Sequence, residues 1–223
     1  YSNGRIKINY HQDGTLGNEM ENIQQIKTGE IDIAHFGDNF GSQITIGVDP
    51  TVLPFVFRSI DDVKAVYEDE VLGAAIDAAA KENGNVYLIG LQNRSPRLLT
   101  ASKEISSPDD LKGLKVRVPE IESWVTIWNS MGAMCTVVSW SETYSALQTG
   151  VVDAQENPID NICTNKIYEV NKYIMNTEHL LGLHHWCINA DTYDNMDPAD
   201  QEILQRAFDE ANAWGDAELE SLA

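Results

Sequence analysis

The chain has 223 residues with 35 acidic and 15 basic side chains, a net charge of −20. It is long enough for one or two domains with sizeable cores. The negative charge excludes nucleic acid and anionic membrane surfaces as natural partners, because both select basic patches. No apolar run approaches the roughly 20 residues of a membrane span; the longest, Val52 to Phe57, has the length of a strand. No signal peptide opens the sequence, so a mature, trimmed or cytoplasmic chain is expected.

Taken in order, Arg5-Ile6-Lys7-Ile8-Asn9-Tyr10 alternates like a strand and His11-Gln12-Asp13-Gly14 reads as a turn. Asn18 or Glu19 starts a helix through Met20, Ile23 and Ile26 that stops at Gly29, and Ile31 to Ala34 is the next strand. Leu53-Pro54-Phe55 interrupts the pattern. Ser59 caps a helix from Ile60, an alanine-rich helix follows from about Val71 to Lys81, and Val86 to Ile89 is a buried strand.

The stretch from Gly113 to Ile159 is the most informative. Gly113 to Pro119 reads as a short strand with Leu114, Val116 and Val118 on one face, and Pro119 leaves Arg117 near its carboxyl edge. A helix spans Glu122 to Met131, and a second is opened by Ser141 and closed by Gly150. Val151 to Ala154 is the following strand, expected to break at Gln155-Glu156-Asn157-Pro158. Ligands in open α/β sheets bind outside the carboxyl ends of strands. Arg117 and Asn157 are therefore expected to face one pocket.

An internal echo supports two similar α/β lobes. Ile26 to Ala34 and Leu147 to Gln155 share a helix end, a Thr-Gly pair, two residues, an Asp and a strand, and a glycine-led strand lies upstream of each. From Asp197-Pro198 a long helix presents Ile203, Leu204, Ala207, Phe208, Ala211 and Trp214 at helical spacing. Two lobes with a helix leaning across both form a hinge architecture that closes on a ligand.

Catalytic signatures are missing: no G-x-S-x-G, phosphate loop, G-x-G-x-x-G or H-E-x-x-H is present. His184 and His185 are neighbours on a strand and point to opposite faces, so no metal is expected between them. Cys135, Cys163 and Cys187 read as small, mostly buried hydrophobes. Glu156 and Asp160 read as solvated or capping carboxylates rather than an acid/base pair. Arg117 offers a planar fork suited to a carboxylate, or else pairs with one of the chain's own acids. Arg94 and Arg97 form a second cationic pair with the same two readings. Trp140 is either a ligand wall or a core residue, and Trp124 and Trp128, one helical turn apart, are core.

The segments Asp110 to Pro119 and Tyr144 to Pro158 closely resemble the solute-binding proteins of TRAP (tripartite ATP-independent periplasmic) transporters. Ser2 to Ile8, Leu16-Gly17-Asn18-Glu19, Leu53-Pro54-Phe55 and Tyr168 to Tyr173 carry the same resemblance, collinear over nearly the whole chain. It implies a two-lobed α/β periplasmic-binding-protein fold with a hinge and a long lobe-spanning C-terminal helix. Lobe I is expected to be 1–94 plus 183–223, lacking the family's first strand and helix, and lobe II 95–182. The implied function is extracytoplasmic capture of a small organic acid and its delivery to TRAP membrane permease subunits, without catalysis or cofactor. A monomer is expected, periplasmic or tethered to the membrane as a lipoprotein.

By the same resemblance the carboxylate-clamping arginine falls on Arg117, a second arginine on Arg97, the binding asparagine on Asn157 and an aromatic on Trp140. Glu19, the loop around Phe36, and His184 fall on pocket-lining positions. Departures from the family pattern are Arg94-Ser95-Pro96 before Arg97 and Met134-Cys135-Thr136-Val137 in place of a proline-containing run. A sensor module of the same fold, coupled to a signalling partner, is the alternative reading; an enzyme on a similar scaffold is a third.

Overall fold

The computed structural model describes all residues except Asp13, Leu222 and Ala223, so the turn expected at 11–14 lies partly outside the described residues. In chain order the elements are α1 (Glu19–Thr28), β1 (Ile33–Phe36), α2 (Ile60–Glu68), α3 (Leu72–Gly84), β2 (Val86–Asn93) and β3 (Arg97–Ala101). Next come β4 (Lys115–Val118), α4 (Glu122–Ser130), β5 (Met134–Val137), α5 (Trp140–Gln148), β6 (Ala154–Pro158) and α6 (Ile159–Thr164). The chain continues with β7 (Tyr173–Met175), β8 (Leu183–Asn189), α7 (Ala190–Asp194) and α8 (Pro198–Ser221).

Two compact units result. Unit 1 comprises Tyr1–Pro50, Ile60–Arg94 and Leu183–Ala223; unit 2 comprises Thr51–Ser59 and Ser95–Gly182. The segment 51–59, expected in the first lobe, groups instead with unit 2. Its Val52 carbonyl accepts the Trp124 indole N–H at 2.9 Å, and the Phe55 N–H donates to the His179 carbonyl at 2.7 Å.

In unit 1, Asn18 caps α1 through a reciprocal capping box with Glu21, satisfying two orphan backbone donors. Gly29 ends the helix in the left-handed region, φ 75°. The sheet has the order β1-β8-β2, antiparallel throughout. Arg5–Tyr10 is not a strand: among the described residues no strand pairs with it, and Ile8 and Tyr10 are exposed. Arg5 instead holds Asp200 of α8 at 2.7 Å. The first expected strand after α1 also begins two residues late, at Ile33.

The helix α8 belongs whole to unit 1 and packs on β2. Its buried face follows the expected stripe through Leu204 and Phe208 and departs from it at Ala211 and Trp214, which are exposed. Leu204, Asn212 and Gly215 are buried, Phe208 meets Trp186 of β8 at 5.5 Å, and Trp214 is 68% exposed. Small residues fix this register. A Cβ on Gly90 would stand 2.2 Å from Asn212 Nδ2, and one on Gly215 2.2 Å from Gln92 Nε2.

Unit 2 holds a five-stranded sheet, β5-β4-β6-β3-β7. Strand β4 runs parallel to both β5 and β6, whereas β3 is antiparallel to β6 and β7. Leu99, Leu114, Val116, Val118, Ile121, Trp124 and Trp128 form its core. Two local expectations change. Ser139, not Ser141, occupies the cap position of α5, which makes Trp140 the first helical residue. The segment expected to break at Gln155 is the strand itself: Ala154–Pro158 is buried at every residue, while Val151 to Asp153 form the approach to it.

Truncating Leu204 to Ala should cost about 2–5 kcal/mol of unfolding free energy. Trp214→Ala should stay within about 0.5 kcal/mol. Urea denaturation distinguishes this face assignment from the stripe read off the sequence, which predicts that both are costly.

Candidate functional site

The strand Lys115-Val116-Arg117-Val118 is an inner strand of its sheet, with Thr136 of β5 and Gln155 of β6 flanking Arg117. Its apolar residues fill the core, and Arg117 itself is 4% exposed. The Arg117 Nε–H donates to the Val138 carbonyl at 2.8 Å, and its guanidinium carbon lies 5.6 Å from the centroid of the Trp140 ring. Trp140 is half-buried against the cluster of Ala146, Leu147, Val152, Ile162 and Ile167. It therefore serves both core and guanidinium. The bond to the Val138 carbonyl and the Trp140 ring help orient a planar five-donor group whose geometry matches a carboxylate.

Arg97 has a different environment. Its Nε and Nη2 grip Glu156 bidentately, at 2.6 Å to Oε2 and 3.0 Å to Oε1. The same Nη2 donates to the Glu156 carbonyl and to Asn157 Oδ1, at 2.9 and 3.1 Å. Its guanidinium lies 4.7 Å from the Trp124 ring. His179 Nε2 approaches Glu156 Oε2 at 3.0 Å from the other side, and His179 Nδ1 pairs with the Thr177 hydroxyl at 2.8 Å. Glu156 is thus a fully buried ion-pair partner, not the solvated or capping carboxylate expected.

Burial alone would raise the Glu156 pKa. The Arg97 charge, followed by the His179 hydrogen bond, outweighs it and holds the carboxyl down at about 2. A carboxyl depressed in this way contributes stability that is present above its ordinary value of 4.5 and is lost as pH falls through about 2.

Asn157 is fixed from both ends of its amide. Its Oδ1 accepts from Arg97, and its Nδ2 donates to Gln155 Oε1 at 2.8 Å. Gln155 Nε2 donates onward to the Thr100 hydroxyl at 2.8 Å, which donates to Asn171 Oδ1 at 3.1 Å. Since Gln155 is also the register partner of Arg117, Asn157 lies two residues along β6 from the Arg117–Gln155 pair. His179, Gln155 and Thr100 were not singled out by sequence reasoning. The three consecutive polar residues Gln155-Glu156-Asn157 were a signal for Gln155 alone; Thr100 and His179 are brought in by strand pairing and the fold.

In unit 1, Glu19 is the first residue of α1 and accepts the Gly37 N–H at 3.3 Å. Burial holds its carboxyl above the usual range, against the hydrogen bonds of Asn39 and Gly37 and the charge of Arg94. Arg94 Nη1 pairs with Asp38 Oδ2 at 3.0 Å. Phe36 ends β1 rather than lying in a loop and is a core residue, 1% exposed; its strand neighbour His35 is exposed, and the His35 ring lies 4.1 Å from that of half-buried His184. His184 and His185 point to opposite faces, the latter stacking on Phe40. Among the described residues no three His, Cys, Asp or Glu side chains are placed to hold a metal ion. The three cysteines are free, and Cys163 is exposed rather than buried.

Comparison with known proteins decides the family. The model for bacterial extracellular solute-binding proteins, family 7, matches residues 1–223. This chain belongs to that family. Identification with TRAP solute-binding proteins, made on Asp110 to Pro119 and Tyr144 to Pro158, is borne out. Among family 7 relatives, a solute-binding protein of Roseobacter denitrificans is 31% identical over 92% of this chain. The sialic acid-binding periplasmic protein SiaP of Vibrio cholerae is 31% identical over 99%. The chain spans 63% of the Roseobacter protein's length and 68% of SiaP's. A TRAP solute-binding protein from Sulfitobacter sp. NAS-14.1, solved with β-D-galacturonate, superposes with a TM-score of 0.90 at 31% identity, over 99% of this chain and 75% of that one. One from Roseobacter denitrificans, solved with L-galactonate, gives 0.90 at 30% identity, over 99% and 73%. The two-lobed α/β fold class is that of these structures. Among the described residues no helix is long and apolar enough to cross a membrane.

Glu156→Gln should lower unfolding free energy by about 3–5 kcal/mol at neutral pH, because it leaves the Arg97 charge buried without its counter-ion. In a pH series the wild type should lose that advantage progressively between about 4.5 and 2, and the variant should show no such component. Parallel pH curves for the two would contradict the buried charged pair.

Proposed function

We propose that this chain is the ligand-capturing part of an extracytoplasmic receptor that holds a small organic acid of the sugar-acid class and passes it to TRAP permease subunits in the membrane. The observation that carries the reading is the buried Arg117 guanidinium on an inner strand of unit 2, oriented by Val138 and flanked by Trp140. The ligands named for the two solved relatives, galacturonate and galactonate, support it: each couples a carboxylate to a polyhydroxylated body. Arg117 meets the carboxylate, and Asn157, held by Arg97 and Gln155, offers an amide alongside. Trp140 covers the apolar face of the ligand. In unit 1 the candidate contacts are Glu19, the loop Gly37 to Asn39 and the His35–His184 pair, whose polar groups suit hydroxyls.

Binding is the whole of the activity, without turnover of the acid. The receptor acts as a monomer in the periplasm, or outside the membrane on a lipid tether. With a net charge of −20 the surface repels an anion at long range. Affinity therefore rests on short-range neutralisation of Arg117.

Titration calorimetry with D-galacturonate tests this. Arg117→Ala should weaken binding by about 2–5 kcal/mol, since the carboxylate is then desolvated without a partner. Arg117→Lys should recover only part of the loss, because a point charge replaces a planar fork. Unchanged affinity in Arg117→Ala removes this residue from the binding role.

A further inference from the structure

The segment that follows β1 makes an uncommon turn. Phe40–Ile44 is π-helical, closed by the Thr45 N–H donating to the Phe40 carbonyl at 3.0 Å. Such turns have a wider, costlier hydrogen-bond ring than an α-helix and persist where their surroundings hold them. Ahead of it lie Gly37 and Asp38, which contact Glu19 and Arg94. Behind it lies Asp49, next to the point where the chain leaves unit 1.

Both flanks converge on His185 of the middle strand, β8. The His185 ring stacks on Phe40, centroids 4.4 Å apart and planes 12° from parallel. Its Nε2 lies 2.7 Å from the Tyr67 hydroxyl of α2, which in turn lies 2.7 Å from Asp49 Oδ2. A phenol has one proton and a carboxylate only accepts, so Tyr67 donates to Asp49 and accepts from the His185 Nε2–H. One hydroxyl thereby ties α2 and β8 to the far end of the turn, while the same imidazole holds the near end. Asp49 and His185 are buried, where an unmade hydrogen bond is expensive.

We propose that Tyr67, acting through His185 and Asp49, is a positioning residue for ligand affinity: it fixes the turn that sets Gly37 to Asn39 against Glu19 and Arg94. This deepens the functional reading above and rests on those residues facing the ligand. The Tyr67 hydroxyl bonds His185 and Asp49, which hold the two ends of the turn. Its effect is therefore transmitted through the turn.

The test combines calorimetry with D-galacturonate and amide hydrogen exchange of the ligand-free protein, at a temperature where wild type and variants are folded. Tyr67→Phe, which removes only the hydroxyl, should weaken D-galacturonate binding about ten-fold. It should also speed exchange in residues 38–49 while leaving β2 and β8 protected. Should Tyr67→Phe fail to fold, Asp49→Ala, which removes the acceptor of the Tyr67 proton, takes its place with the same expected results. Affinity within two-fold of wild type, or faster exchange spread over the whole of unit 1, overturns the proposal. A wild type that binds no D-galacturonate defeats the choice of ligand class, and the exchange pattern then decides alone: acceleration confined to 38–49 supports positioning of the turn, and any other pattern overturns it.

Discussion

A carboxylate in the middle of a β-sheet is tolerated only when a cation meets it, and Glu156 is met by Arg97 through two hydrogen bonds. That pair makes Ala154-Gln155-Glu156-Asn157-Pro158 possible as a strand. Without it, three adjacent polar side chains would be driven to the surface. With it, they are drawn inside, and the strand lies between β4 and β3. Asn157 inherits its orientation from Arg97 and passes it through Gln155 to Thr100 and Asn171. Arg97 is thus tied into the architecture, and Arg117, whose Nε bonds a backbone carbonyl, is the arginine proposed to meet an anion.

The two arginines show why residue type alone does not assign a role. Both are buried, and both lie near a tryptophan. What separates them is the first partner of each Nε: a carboxylate at 2.6 Å for Arg97 and a backbone carbonyl at 2.8 Å for Arg117. An ion pair already formed leaves little field for a second anion. A backbone carbonyl orients a guanidinium and brings no formal charge of its own.

Much of this was legible in the sequence. The helix from Asn18 to Gly29 announced itself by its cap residues, because caps act within a few positions of chain. The echo of Thr28-Gly29 in Thr149-Gly150 is real in three dimensions: each glycine sits in the left-handed region after a helix and before a strand. Trp124 and Trp128 followed from helical spacing. What failed depended on partners remote in sequence. Arg5 to Tyr10 has the alternation of a strand but no strand beside it. The polar strand at Gln155 contradicts local propensity, because its stabilisation comes from Arg97 and Thr100 on a neighbouring strand. Trp214 matched the helical stripe, yet close approach at Gly90 and Gly215 leaves it outside. For the candidate site, motif resemblance singled out Arg117 and Asn157 as proposed contacts, whereas the His179 contact with Glu156 required the fold.

The central claim is that a negative charge on the ligand, met by Arg117, supplies the affinity. Titrating D-galacturonate and then D-galactose into the same protein isolates that charge, because the two sugars differ only in a carboxylate in place of a hydroxymethyl group. The account predicts that the acid binds at least about a hundred-fold more tightly, the loss expected when a buried charged donor is left without its partner. Equal affinity for the neutral sugar would contradict it.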